Sequence, residues 1–300
     1  MRSVRTKAKL SVRQKSASYD TPSPYTFMKR EIANIIKYLI VYGVLLVMPV
    51  VIIAICEVVR DRLQGGTMST DELWQTPFMT MGLMLGSVLI IVFFLCKRWA
   101  SLSLGRVKQS EVWIVILMSV VLFLGWFFPE DFLISIIDIP SDLSDDEFSD
   151  MTGGVIGFID TGILAPIAEE MLCRGAILTA LMKMIPRKPY ICILVQALIF
   201  GAIHMDPSQM VYGTLYGILL GWLCCRTGSL IPGIVLHVVN NSTALLLPDY
   251  VDETFNELSV FPKAAILIAS LLVLSSGIYW FHRKYPAKVE HELNAAYLQT

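Results

Sequence analysis

An all-α, polytopic membrane fold is predicted for this chain by three observations. Of its 300 residues, 55% are hydrophobic and only 16% charged, with mean hydropathy +0.63, whereas ordinary globular chains are about 25% charged. Apolar runs near the roughly 20 residues needed to cross a bilayer recur at 35–58, 78–96, 111–128, 155–182, 189–205, 209–226, 229–247 and 260–281. The connections between those runs alternate in charge. About eight transmembrane helices are expected, with the polar residues of interest gathered among the fourth to seventh.

In chain order, residues 1–34 form a basic tail, with Arg2, Arg5, Lys7, Lys9, Arg13, Lys15, Lys29 and Arg30 against Asp20 and Glu31. It is too long and too polar to be the leading part of a cleaved signal peptide. Its expected partner is the anionic surface of the bilayer rather than nucleic acid. Residues 35–128 hold three spans. Residues 129–154 form an acidic external loop containing Glu130, Asp131, Asp138, Asp142, Asp145, Asp146, Glu147 and Asp150, with no Lys or Arg. These carboxylates lack the spacing of a calcium loop, and the apolar piece 131–139 is too short to span and is expected at the interface. Residues 155–247 hold the fourth to seventh spans. Residues 248–300 hold the last span and a basic tail.

Basic connections are the N-terminal tail, 97–108, 183–188, Arg226 and the C-terminal Arg283, Lys284 and Lys288. The connections between them are acidic or nearly neutral. Under the positive-inside rule, eight spans put both termini in the cytoplasm, the natural setting being a plasma membrane. No internal repeat suggests an inverted-repeat transporter. The six cysteines, Cys56, Cys96, Cys173, Cys192, Cys224 and Cys225, lack zinc-knuckle spacing and read as small buried hydrophobes.

The informative feature is a set of polar groups inside apolar runs. Glu169, Glu170 and Arg174 lie within APIAEEMLCRGAIL, where each costs roughly 2.5–3.5 kcal/mol at the centre of a spanning helix on insertion scales. Glu170 and Arg174 are four apart, acid before base, and share a face. Glu169 points about 100° away, free to meet another partner, and a carboxylate without a cation in such a place suits general acid–base work. His204 follows Phe200 by four residues in the fifth run. His237 precedes Asn241 by four in the seventh, with Asn240 expected to point elsewhere. Gly213, Gly217 and Gly221 in the sixth run form a small-residue stripe suited to close helix packing. Cys173 adjoins the cluster but has no activating base beside it.

The order EExxxR (Glu169 to Arg174), FxxxH (Phe200 to His204) and HxxxN (His237 to Asn241) resembles the signature of the CPBP family. That family takes in type II CAAX prenyl endopeptidases and Abi proteins linked to bacteriocin processing and self-immunity. The resemblance covers roughly residues 155–247. It implies an intramembrane endopeptidase acting on a peptide or membrane-protein substrate. Glu169 with His204 would activate a water, and His237 and Asn241 would donate to the oxyanion. Glu170, Arg174 and Phe200 would support them. The family is commonly described as metalloproteases, so zinc is the one cofactor in question, with Glu169, His204 and His237 as its ligands. There is no H-E-x-x-H helix, and a glutamate-activated water without tightly bound metal is the simpler chemistry. Two other classes stand beside the peptidase: a non-proteolytic immunity or peptide-binding protein of the same fold, and a proton-coupled transporter using Glu169 and His204 as a relay.

Overall fold

The structure is a computed structural model that describes residues 23–74, 76–137, 154–247 and 258–287. The expectations for the tail before residue 23, most of the acidic loop, 248–257 and the end of the chain lie outside the described residues. All regular structure among the described residues is helical. Helix α1 spans Pro24–Leu63, with Ser23 Oγ accepting from Thr26 N at 3.2 Å and Pro24 in its first turn, where a missing N–H costs nothing. It therefore begins well inside the segment read from sequence as tail. The short α2 covers Thr70–Trp74, α3 Pro77–Cys96 and α4 Val112–Ile137.

Helix α4 carries through Pro129 to Ile137, which corrects the reading of 131–139 as a separate interfacial piece. A proline inside a helix need not end it where neighbours support the turn. The chain then forms a composite helix over 154–184, here α5, interrupted by π-helical stretches at Asp160–Leu164 and Met171–Leu178. Helices α6 (Pro189–Ala202), α7 (Pro207–Thr227), α8 (Ile231–Leu246) and α9 (Val260–Lys284) complete the described chain. All eight apolar runs are thus helical, and the molecule is a multi-pass membrane protein.

Among the described residues, four helices are long and apolar enough to cross a membrane: Pro24–Leu63, Pro77–Cys96, Gln109–Glu130 and Val260–Lys284. Pro189–Ala202 and Ile231–Leu246 are shorter apolar helices. At 14 residues α6 is about 21 Å long at 1.5 Å per residue, short of the roughly 30 Å of hydrocarbon. It is short because the chain turns at His204, where Met205 adopts φ 56°, before Asp206 caps α7 through Gln209 N at 2.9 Å.

Packing follows from where the apolar faces point. Exposed Ile32, Ile36, Ile40, Val44, Val47, Val51, Ile55 and Val59 recur at helical spacing along α1, a stripe that water would penalise and lipid accepts. Cys56 and Cys96 are exposed on such surfaces, which corrects the reading of every cysteine as buried; Cys173 and Cys192 are buried. α1 packs on α3, α4 on α9 and α6 on α7, while α5 lies in the middle, with Met171, Leu172, Cys173 and Ile177 fully enclosed. One close approach requires glycine. Gly105 at φ 57° and Gly228 at φ 64° meet where Arg106 N donates to Thr227 O at 2.7 Å, and a Cβ on Gly105 would strike the Gly228 carbonyl.

Candidate active site

The irregular middle of α5 has a local cause. Pro166 has no N–H, so the carbonyl four residues back, on Gly162, loses its helical partner, and buried backbone groups rarely stay unpaired. Helix α8 supplies the replacements: Ser242 Oγ donates to Gly162 O at 3.2 Å and Asn241 Nδ2 to Thr161 O at 3.2 Å. A Cβ on Gly162 would sit 3.2 Å from Ser242 Oγ. The π-helical turn and the polar face of α8 are therefore fitted to each other, and π turns occur frequently at functional sites.

This fit brings the second π stretch and the carboxylate pair against α8. Arg174 Nη1 donates to Glu170 Oε1 at 2.8 Å, with both side chains essentially inaccessible. The guanidinium lies 4.3 Å from the centre of the Phe200 ring, and Nη2 donates to Gly217 O at 3.3 Å. That carbonyl also accepts from Gln196 Nε2 at 2.8 Å, so the sixth-run glycine stripe receives a buried polar anchor as well as a close contact. The expectation that Glu170 pairs with Arg174 on one face agrees with these contacts.

His237 stands between the two carboxylates. Its Nδ1 is 3.2 Å from Glu170 Oε1 and its Nε2 is 3.6 Å from Glu169 Oε2. A carboxylate oxygen facing Nδ1 makes that nitrogen the donor and leaves Nε2 facing the cavity. Glu169 Oε2 is buried and has no hydrogen-bond partner among the described residues. The side chain of Glu169 is 15% exposed against 1% for that of Glu170, which separates an open carboxylate from an enclosed one. Gly233 leaves room for the enclosed one, since a Cβ there would lie 3.0 Å from Glu170 Oε2.

His204 lies beyond the end of α6, in the turn before α7. Its Nδ1 donates to Phe200 O at 2.8 Å, because a carbonyl can only accept, and its Nε2 is left open. Phe200 is edge-on to both imidazoles, 5.0 Å from His204 and 5.5 Å from His237 between ring centres. It thus spaces the two histidines while its face takes the Arg174 cation. Tyr216 closes the other side of His237 at 5.7 Å and donates its hydroxyl to Leu236 O at 2.9 Å.

These groups open onto one cavity of about 440 Å³, lined among others by Glu169, His204, His237 and Asn241. The structure brings the four together. Glu169 has its measured polar contact with His237 rather than with His204, the partner expected from sequence. Asn240 also lines the cavity, which corrects the expectation that it points away. Glu130 is a lining residue that sequence reasoning assigned to the external loop; Trp126 Nε1 donates to its Oε2 at 2.5 Å. A Trp four residues before a Glu at the end of an apolar helix is the signal that could have found it.

The zinc expectation meets a different geometry. Among the described residues no three His, Cys, Asp or Glu side chains converge closely enough to hold a metal ion. Glu170 and the Phe200 carbonyl each hold the Nδ1 of one histidine, which leaves both Nε2 atoms open. The misfit lies in the spacing of the side chains, and the chemistry below is derived without an ion.

No curated protein and no solved structure matches the chain. A family model does, over residues 151–243, and that family is described as type II CAAX prenyl endopeptidase Rce1-like. The matched segment contains all three motifs, from Glu169 to Asn241, and most of the residues that line their cavity. Over this segment, which is under a third of its length, the chain is similar to a CAAX-protease-like family.

Proposed function

We propose that the chain is an intramembrane endopeptidase that hydrolyses a peptide bond of a peptide or membrane-protein substrate through a water activated by Glu169. The observation that carries this reading is the unpartnered Glu169 Oε2, 3.6 Å from His237 Nε2 at the wall of the cavity. A water within ordinary hydrogen-bond distance, about 2.7–3.0 Å, of both atoms fits that gap. Glu169 would take its proton as the oxygen attacks the carbonyl carbon, then return it to the leaving amine. His204, with Nδ1 tied to Phe200 O, would orient the same water through Nε2.

The oxyanion falls to His237 and Asn241. With Glu170 Oε1 3.2 Å from Nδ1 and Glu169 Oε2 3.6 Å from Nε2, His237 would donate from Nδ1 to Glu170 and from Nε2 into the cavity. Asn241 gives one amide hydrogen to Thr161 O and keeps the other for the cavity. Each such donor is worth about 2.7–4 kcal/mol of barrier where it has been removed elsewhere. Cys173 is fully buried and takes no part.

All eight helical runs would cross a plasma membrane with both termini in the cytoplasm. A shortened α6 and α8 would border the cavity rather than meet lipid along their full length. Comparative membrane proteomics of a Glu169→Ala strain against its parent tests the function. An uncleaved precursor accumulating only in the variant is expected. No precursor, with sensitivity to an antimicrobial peptide arising only on deletion of the whole gene, would replace the peptidase reading with the immunity one.

A further inference from the structure

A second cavity, of about 400 Å³, lies at the other end of the same helices. On α8 the first cavity is lined by His237 to Leu245 and the second by the residues just before the helix, Ser229 and Leu230. On α7 the corresponding residues are Gln209 to Tyr216 and then Cys224. At 1.5 Å per residue the two cavities are about 15 Å apart along these helices. We propose that this second cavity binds the phosphate group of an anionic membrane lipid.

Its charge is the first argument. Arg98 and Lys183 line it with Arg174, whose charge is already paired with Glu170, against Glu31 alone. Neither the Arg98 nor the Lys183 side chain has a hydrogen bond or ion pair among the described residues. Glu31 is already engaged by Arg30 Nε and Asn34 Nδ2, each at 3.3 Å. Arg174 is 1% exposed, and its Nε is buried without a hydrogen-bond partner. Its Nη1 serves Glu170, so a buried donor is left over on the residue that walls off the second cavity. Orphaned buried donors are rare and call for a ligand or water. Ser101 and Ser103 add hydroxyls to the lining, while the Ser229 hydroxyl already donates to Ser103 O at 2.8 Å and accepts from Ile231 N at 3.2 Å.

The backbone is shaped for this lining. Arg98 adopts φ 55°, a left-handed conformation that a non-glycine residue keeps only where its surroundings impose it. The contacts beside it are Trp99 N to Phe94 O at 2.9 Å and the Trp99 ring, tilted against Tyr38 at 4.8 Å and edge-on to Phe94 at 5.3 Å.

The second argument is position. Lys37 Nζ lies 5.0 Å over the Trp99 ring, a pairing of cation and aromatic typical of the headgroup level. The connections at this end carry Arg106, Arg187, Lys188 and Arg226. Exposed Ile32 and Ile36 continue directly into the lipid-facing stripe of α1. A ligand with a phosphate in the cavity and acyl chains along that stripe satisfies both surfaces. The inference is independent of the peptidase reading.

The purified full chain in detergent provides the test, with thermal unfolding measured against added phosphatidylglycerol, phosphatidylcholine and inorganic phosphate. Phosphatidylglycerol is expected to raise the midpoint by about 3–5 °C near saturation, with little response to the other two. The rise disappears in Arg98→Gln/Lys183→Met and persists in the exposed control Arg283→Gln. Lys183→Met alone, expected to weaken the response severalfold, serves if the double variant does not fold. An equal rise with phosphatidylcholine, an equal rise with inorganic phosphate, or an unchanged response in the folded variants would overturn the lipid assignment.

Discussion

Replacing Arg174 with methionine would leave the Glu170 carboxylate buried without its cation, and the cost follows from the contacts. The pair is 2.8 Å apart and essentially inaccessible on both sides, so solvent screening does not soften the loss. Removing one member of a buried pair costs about 3–5 kcal/mol. Losing the cation over the Phe200 ring adds up to about 2 kcal/mol. The Gly217 carbonyl does not add a full penalty, because Gln196 still donates to it at 2.8 Å. Glu170→Gln/Arg174→Met removes the stranded charge and is expected to be more stable than Arg174→Met alone by about 2 kcal/mol. Equilibrium unfolding in mixed micelles, run as a double-mutant cycle with Glu170→Gln, measures both quantities. Arg174→Met within about 1 kcal/mol of the parent, or a double variant no more stable than the single one, would refute the argument that the pair holds α5 in place.

Other substitutions separate scaffold from chemistry. Gly233→Ala puts a Cβ 3.0 Å from Glu170 Oε2; a loss of about 1–3 kcal/mol and weaker hydrolysis are expected from unfolding and product assays. Asn241→Leu should abolish hydrolysis and also lose about 1–3 kcal/mol, because the Thr161 carbonyl is left without its donor. Ser242→Ala strands the neighbouring Gly162 carbonyl and should lose comparable stability while retaining hydrolysis per folded molecule. Glu130→Gln weakens the bond from Trp126 Nε1, read as a shift in tryptophan emission, and should change KM more than kcat because Glu130 lines the cavity without a part in the proposed chemistry.

Much of the site was legible because intramembrane charge is expensive. Glu169, Glu170, Arg174, His204 and His237 stand out against apolar surroundings, and helical spacing pairs Glu170 with Arg174 without any tertiary information. Contacts between helices were not legible. Nothing in the spacing says that His237 lies against both carboxylates, or that Phe200 separates two imidazoles and carries the Arg174 cation. The π turns also escaped, since Pro166 signals a lost hydrogen bond but not that Asn241 and Ser242, 80 residues away, replace it. Asn240 was misplaced because the cavity meets more than one face of the regular helix α8, so both Asn240 and Asn241 line it. Span length misled at α6 and α8, where apolar sequence runs on past the point at which the helix ends.

The central claim is that adjacent carboxylates divide the labour, Glu170 holding the fold and Glu169 performing the chemistry. The most direct measurement compares purified Glu169→Gln and Glu170→Gln on the precursor that accumulates in the Glu169→Ala strain, with unfolding followed in parallel. Glu169→Gln is expected to keep the parent's unfolding midpoint and lose cleavage by at least about 100-fold. Glu170→Gln should lower the midpoint while its folded fraction retains measurable cleavage. Cleavage by Glu169→Gln at the parent's rate would contradict the account.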